Sequence, residues 1–378
     1  MVGTRSMPRL RTYPISLALI FLVSISPACA AQLTIAAAGD VCLTGAQYFT
    51  YPYSATSYPF SSSYHIFQRA DLAFVNLECA LTTRTTAMQK RFTFKGHPSF
   101  AASLANAGID AVSLGNNHAA DFGRASVVDT MRALARAGVA FSGAGTSAAT
   151  ALRPASLSSK GHRVAFIAAT DIIPSGFAAT SRLPGVGVAR PPTRLLYEVR
   201  RADRTHDVVV VMIHWGTERS TEPNSRQRAL ARALIDAGAD VVIGSHPHVW
   251  QPCEVYRGRF IAYSLGNFVF FPGNYNGRYT GVLELTVDGT RLTVRVTPFF
   301  IGRNGAPMRV SPSHAAGRFV YSVLRKSNLR FVRTSTGFVA TVTLSRPLLA
   351  SSPKVSRAIE RARDVAVSCS GIVAAHVK

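Results

Sequence analysis

Seven polar residues fall where apolar runs of the sequence end: Asp40, Glu78, Asn117, His118, His214, His246 and His248. Carboxylates, an amide oxygen and imidazoles are the ligand set expected for Zn, Mn or Fe. A carboxylate able to bridge two ions would allow a two-metal site, with ions roughly 3.5–4 Å apart, that clamps a phosphoryl or carbonyl group and activates a water. Singly, each residue is a weak signal. A lone His after a strand is more often a hydrogen-bonded structural residue, and Gly39-Asp40 also reads as a simple turn. The His246/His248 pair is stronger, because alternate residues of an extended chain point to one side and can converge on one ion pair. The sequence holds no Gly-x-Ser-x-Gly elbow, which disfavours a serine hydrolase.

The elements that must position these residues read as an α/β pattern, with apolar strand-like runs alternating with helical periodicity. Strands are expected at Leu33 to Ala38, Leu72 to Leu77, Ala111 to Leu114, Arg163 to Ala169, Asp207 to Ile213 and Val241 to Ile243, each leading into one of the polar groups or into the next unit. Helices are expected at Phe100 to Ala107, Ser126 to Ala137 and Arg226 to Ala237, the last two closed by Gly138 and Gly238. In an open α/β sheet the carboxyl ends of the strands are where ligands bind. Tyr48 to Ser63, crowded with Tyr, Ser, Thr and Pro, reads as a surface loop. Val282 to Val287 and Arg291 to Val296 flank Asp288-Gly289, a hairpin signal. Further on, a strand is expected at Phe338 to Leu344 and a helix at Val355 to Ala366.

The 378 residues suffice for one large or two ordinary domains, and 47% apolar against 16% charged residues excludes extensive disorder. Lys and Arg number 42 against 19 acidic residues, a formal charge of +23 with only six lysines. Such a balance predicts attraction to polyanions, although an arginine-rich solvated surface reads equally well. At the N-terminus, Arg5, Arg9 and Arg11 precede an apolar run from Ile15 to Ile25 and then Ala28-Cys29-Ala30, the order of a secretory signal peptide. Residues 1–30 are thus expected to be a signal, the protein exported to the periplasm or beyond and associated with a membrane only if the signal stays uncleaved. Removing them takes away three arginines and no acid, leaving +20 and four cysteines, Cys42, Cys79, Cys253 and Cys369. Export argues against nucleic acid as the partner.

Six motifs in order carry a resemblance: Gly39-Asp40-Val41; Asn76-Leu77-Glu78; Gly115-Asn116-Asn117-His118 with Asp121 and Gly123; His214-Trp215-Gly216-Thr217-Glu218; Gly244-Ser245-His246-Pro247-His248-Val249 with Gln251, Pro252 and Glu254; and Tyr263 to Phe268. Together, over roughly residues 33–272, they resemble the CapA family of poly-γ-glutamate capsule biosynthesis. The resemblance implies a calcineurin-like metallophosphoesterase fold, a four-layer αββα sandwich, over residues 31–300, followed by a basic C-terminal extension, 301–378. It further implies that Asp40 binds one ion, that Glu78 bridges two, and that Asn117, His214 and His246 serve the second while His248 completes the first. His118 would stabilise the transition state or protonate the leaving group. Glu218 and Glu254 would orient imidazoles or simply lie exposed.

One departure stands out. The superfamily's first motif is Asp-x-His, whereas this chain has Asp40-Val41-Cys42. Cys42 could supply a thiolate ligand or pair with Cys79 in a disulfide. The implied activity is metal-dependent hydrolysis or transfer, using one or two divalent ions of Zn, Mn or Fe, on an anionic polymer such as poly-γ-glutamate or on a phosphoester. Membrane-bound capsule synthesis proteins would be partners. The alternative is a non-catalytic polymer-binding or export component of a capsule assembly.

Overall fold

The computed structural model describes residues 32–44, 58–271 and 276–344. The first strand, β1 (Leu33–Val41), is buried on both faces, with Leu33, Ile35 and Ala37 on one side and Ala36 and Ala38 on the other. Apolar residues at both phases of the alternation are what a strand covered from both sides needs. Strands β2 (Leu72–Leu77), β3 (Ala111–Ser113) and β4 (Ala140–Ser142) follow it in parallel. A second sheet is built from β5 (Ala155–Ser159), β6 (His162–Thr170), β7 (Val208–His214), β8 (Val241–Ser245), β9 (Cys253–Tyr256) and β10 (Arg259–Ala262), in the order β9-β10-β8-β7-β6-β5. Its four inner strands are parallel and its two edge strands antiparallel.

The chain then returns to the first sheet. There β11 (Asn267–Val269) runs beside the end of β1, and β12 (Tyr279–Asp288) and β13 (Arg291–Ile301) form the expected hairpin about Asp288 and Arg291. The strands β14 (Pro307–Arg309), β15 (Val332–Arg333) and β16 (Phe338–Thr343) complete a ten-stranded sheet.

Helices α1 (Tyr64–Arg69), α2 (Phe100–Asn106) and α3 (Arg124–Arg136) cover the outer face of the first sheet, where Ile66, Leu104, Val127 and Leu134 share one apolar cluster with Ala36, Val75 and Val112. Helices α4 (Thr193–Thr205) and α5 (Ser225–Asp236) cover the second, placing Leu195, Val199, Leu230 and Leu234 against Val209, Val211 and Val242. Between the sheets, Leu33, Ile35 and Phe74 meet Phe166, Val210, Met212 and Ile243, and the rings of Phe74 and Phe166 stack 4.6 Å apart. The result is the four-layer αββα sandwich of the calcineurin-like metallophosphoesterases. Among the described residues no helix is long and apolar enough to cross a membrane.

The expected basic extension, 301–378, is described as far as residue 344: Ile301 ends β13, and α6 (Ala315–Leu324) buries Val320, Val323 and Leu324 in the cluster between the sheets. Beyond α6, Ser327 and Asn328 accept hydrogen bonds from the β9 amides of Cys253 and Val255, at 2.9 and 2.8 Å. The tail of the surface loop expected up to Ser63 is partly core, since Phe60 packs on Phe67 and Phe268. The signal segment 1–30, the helix expected at 355–366 and Cys369 lie outside the described residues.

Candidate metal centre

Glu78 follows directly on β2, Asn117 and His118 lie on the turn after β3, and His246 and His248 follow β8. Asp40 and His214 sit within their strands rather than beyond them, because β1 runs on to Val41 and β7 ends on His214 itself. At Asp40 the strand passes close to another turn, and a Cβ on Gly39 would run into the Gly266 carbonyl. Glycine there lets Asp40 N–H donate to that carbonyl at 2.9 Å, which locks the carboxylate's position.

His214 is the hub. Its Nε2 lies 2.8 Å from Asn117 Oδ1, 3.1 Å from His246 Nδ1 and 3.4 Å from Glu78 Oε1, while its Nδ1 contacts Ser245 Oγ at 2.9 Å. A second convergence surrounds Asp40. Its Oδ2 is 3.4 Å from His248 Nδ1 and accepts the His246 N–H at 3.2 Å, while its Oδ1 accepts from Asn76 Nδ2 at 2.8 Å. Glu78 belongs to two of three groupings, Glu78 with His214 and His246, and Asp40 with Glu78 and His248; the third joins the exposed Glu218 to His246 and His248, and within each the ligand atoms lie within 4.8 Å of one another.

The electrostatics centre on Glu78. Both oxygens of Glu78 are buried and have no hydrogen-bond partner. A buried carboxylate in that state is costly unless a cation compensates it. Burial works against the charge on His248, but the carboxylates of Glu78 and Asp40 outweigh it and lift its pKa to about 10. Burial alone would raise Asp40, yet His248, His214 and Asn76 bring it down to about 2. Burial, then the neighbouring His214 and His248, push His246 well below the ordinary imidazole value, so it stands neutral and able to ligate. A buried carboxylate without a hydrogen-bond partner, among imidazoles, an amide and a second carboxylate, fits a divalent metal.

The paired imidazoles converge for a reason other than strand alternation. His246 and His248 both adopt left-handed backbone, φ +94° and +58°, and their ring centroids lie 5.8 Å apart. Non-glycine residues in that region cost about 1–3 kcal/mol and persist where the surroundings demand them. His118 donates its Nδ1 proton to Asp121 Oδ2 at 2.7 Å and stacks on Phe94, centroids 4.2 Å apart.

Two further expectations resolve differently. Cys42 stays out of the metal grouping: it packs with Cys79 in the apolar cluster beneath the helices, and both are free thiols. Burial first, then Cys79 and Glu78, push its thiol well above the ordinary cysteine value, so a thiolate is disfavoured there. Glu254 orients no imidazole. It accepts from Tyr263 Oη at 2.6 Å and pairs with Arg232 at 2.9 Å, whereas Glu218 is exposed at the mouth beside His246 and His248.

The imidazoles are oriented by residues that sequence reading did not assign to the site. Besides Ser245 and Asp121, these include Asn267, whose Oδ1 lies 2.8 Å from His248 Nδ1, and Asn76. An amide inside an otherwise apolar buried strand, as at Asn76, was the available signal.

A four-layer αββα sandwich whose strand ends gather carboxylates and imidazoles has the architecture of a calcineurin-like metallophosphoesterase. The chain belongs to the family described as bacterial capsule synthesis protein PGA_cap, whose model matches residues 34–272. It is 38% identical over 241 residues to the PGA biosynthesis protein CapA of Bacillus subtilis, covering 62% of this chain and 63% of that protein. It is 36% identical over 230 residues to the capsule biosynthesis protein CapA of Bacillus anthracis, covering 59% and 55% respectively. The matched region thus spans less than two-thirds of each relative. Among solved structures it is similar to a 5'-nucleotidase from Candida albicans, with a TM-score of 0.43 and 11% identity, covering 80% of this chain and 60% of that one.

Proposed function

We propose that this protein is a metal-dependent hydrolase or transferase of capsule biosynthesis, acting on an anionic polymer such as poly-γ-glutamate or on a phosphoester. The observation that carries the reading is Glu78, a buried carboxylate with both oxygens unpartnered at the centre of three imidazoles and a second carboxylate. Asp40, Glu78 and His248 would hold one ion, and Glu78, Asn117, His214 and His246 a second. When bound, such a metal supplies Lewis-acid polarisation of the scissile group and an activated water.

The chain's own residues do the rest. Asp121 holds the Nδ1 proton of His118, which leaves Nε2 to handle the proton at the leaving group. Ser245 and Asn267 fix the rings of His214 and His248. A charge of +23 favours approach of a polyanion. Export, and association with membrane-bound capsule synthesis proteins, belong to the same proposal.

A second reading, a polymer-binding or export component without catalysis, is favoured by Cys42, which replaces an imidazole and packs away from the cluster. Metal content per chain decides between them, measured by mass spectrometry on protein purified without chelators or nickel, beside His246→Ala. About one to two equivalents of Zn, Mn or Fe, reduced in the variant, are expected. A folded sample that holds no metal even after reconstitution overturns the hydrolase reading in favour of the binding component.

A further inference from the structure

We infer that Lys90 is a positioning residue for His118: its ammonium ties the Asn117-His118 turn to Asp121 and so fixes which ring nitrogen of His118 carries the proton. The inference rests on the proposed role of His118, and because Lys90 also holds the carbonyl of Asn117, a proposed ligand, its readout is the His118 ring itself. Lys90 Nζ donates to Asp121 Oδ1 at 2.7 Å and to the Asn117 carbonyl at 2.7 Å, and it lies 3.3 Å from His118 Nδ1. The other oxygen of Asp121, Oδ2, accepts from His118 Nδ1 and from the Phe94 amide, both at 2.7 Å. Asp121 is fully buried, so this carboxylate needs a compensating cation, and Lys90, 19% exposed, supplies it.

The arrangement assigns the protons. An ammonium only donates, and the Nδ1 that donates to Asp121 cannot also accept from Lys90. Lys90 therefore acts on His118 through Asp121 and through the Asn117 carbonyl. Two of its three donors are committed to the turn. The segment that carries Lys90 clamps the turn at further points: Met88 N–H donates to the Asp121 carbonyl at 2.7 Å, and the Phe94 ring lies against the His118 ring. The Phe177 ring lies 5.3 Å from the ammonium and adds a cation–π contact. Without Lys90, Asp121 would keep a buried charge with no cation and the Asn117 carbonyl would lose its donor. The His118 ring would then be free to exchange tautomers.

The test uses the full chain with nitrogen-15-labelled histidine, as wild type, Lys90→Met and Lys90→Arg. The wild type is expected to show a low-field His118 Nδ1–H signal protected from solvent exchange; Lys90→Met loses it, and Lys90→Arg, which keeps a cation beside Asp121, regains it. If Lys90→Met does not fold, Lys90→Leu, neutral and without a donor, takes its place with the same reading. Where the wild type hydrolyses bis(p-nitrophenyl) phosphate, kcat of the neutral variant falls about 10–100-fold, the usual cost of removing an outer partner. A folded neutral variant that keeps the wild-type Nδ1–H signal overturns the inference. A wild type that hydrolyses nothing counts against the hydrolase reading alone, since the His118 signal still decides the role of Lys90.

Discussion

At the residue scale the site is organised by charge. Glu78 is the one carboxylate common to two of the three ligand groupings, and its charge also helps lift His248 to about 10. Glu78→Gln is therefore expected to empty both positions, with metal content by mass spectrometry falling to near none. The same substitution should bring the His248 titration in metal-free protein down from about 10, which NMR would follow. A variant that retains full metal content would show that Glu78 does not bridge. Proton linkage gives a second outcome. Metal-free His248 holds its proton up to about pH 10, and a ligating imidazole must shed it, so metal affinity rises with pH across the neutral range. Calorimetry at pH 8 in two buffers of different ionisation enthalpy should report roughly one proton released by His248 as its ion binds. For the metal-free fold the sign is opposite. A raised folded value contributes stability that is complete below about 6.5 and is lost as pH climbs through 10, at no more than about 1.4 kcal/mol per pH unit. All six proposed ligands were legible as residue types at strand ends. The residues that orient them were not, because Ser245, Asn267 and Asp121 act through hydrogen bonds that only folding creates.

Elements account for the remaining differences between sequence and structure. Helix α5 was readable almost to its boundary, because Asn224 and Gln227 form a reciprocal capping box at 2.9 and 3.0 Å that stops the helix where the periodicity begins. The loop carrying His246 and His248 was readable only in outcome. Extended-chain alternation predicts convergence, but the imidazoles meet through two left-handed residues that no periodicity encodes. Helix α6 was not anticipated at all, since its Val320, Val323 and Leu324 fall in an Arg-rich stretch whose composition reads as a basic extension. Those side chains close one end of the core between the sheets. Leu324→Ala is expected to cost roughly 2–4 kcal/mol, the usual range for a fully buried leucine, as read by chemical denaturation. Metal content of the folded fraction should be unchanged, because α6 contributes nothing to the ligand groupings. A loss below about 0.5 kcal/mol, the range of surface substitutions, would mean that α6 does not contribute to the core between the sheets.

For the whole molecule, the charge and the site make separable contributions. The sequence carries +23, mostly as arginine, whereas the ligand cluster is buried and holds two carboxylates. Attraction to a carboxylate polymer through exposed guanidinium groups is screened over about 8–10 Å at 0.10–0.15 M salt, whereas ligation of a buried ion is screened far less. Binding of poly-γ-glutamate, followed by fluorescence anisotropy of labelled polymer, should weaken steeply as salt rises from about 0.05 to 0.5 M, where the Debye length shrinks to a few ångströms. Glu78→Gln should bind the polymer with the same salt dependence as wild type while losing any capacity to cleave it. If the variant loses polymer binding at low salt along with its metal, the metal centre itself holds the polymer and the arginine-rich surface is ordinary solvated face. If binding persists in both proteins and neither cleaves, the cluster serves as a structural centre beneath a polymer-binding surface, and the assembly-component reading prevails.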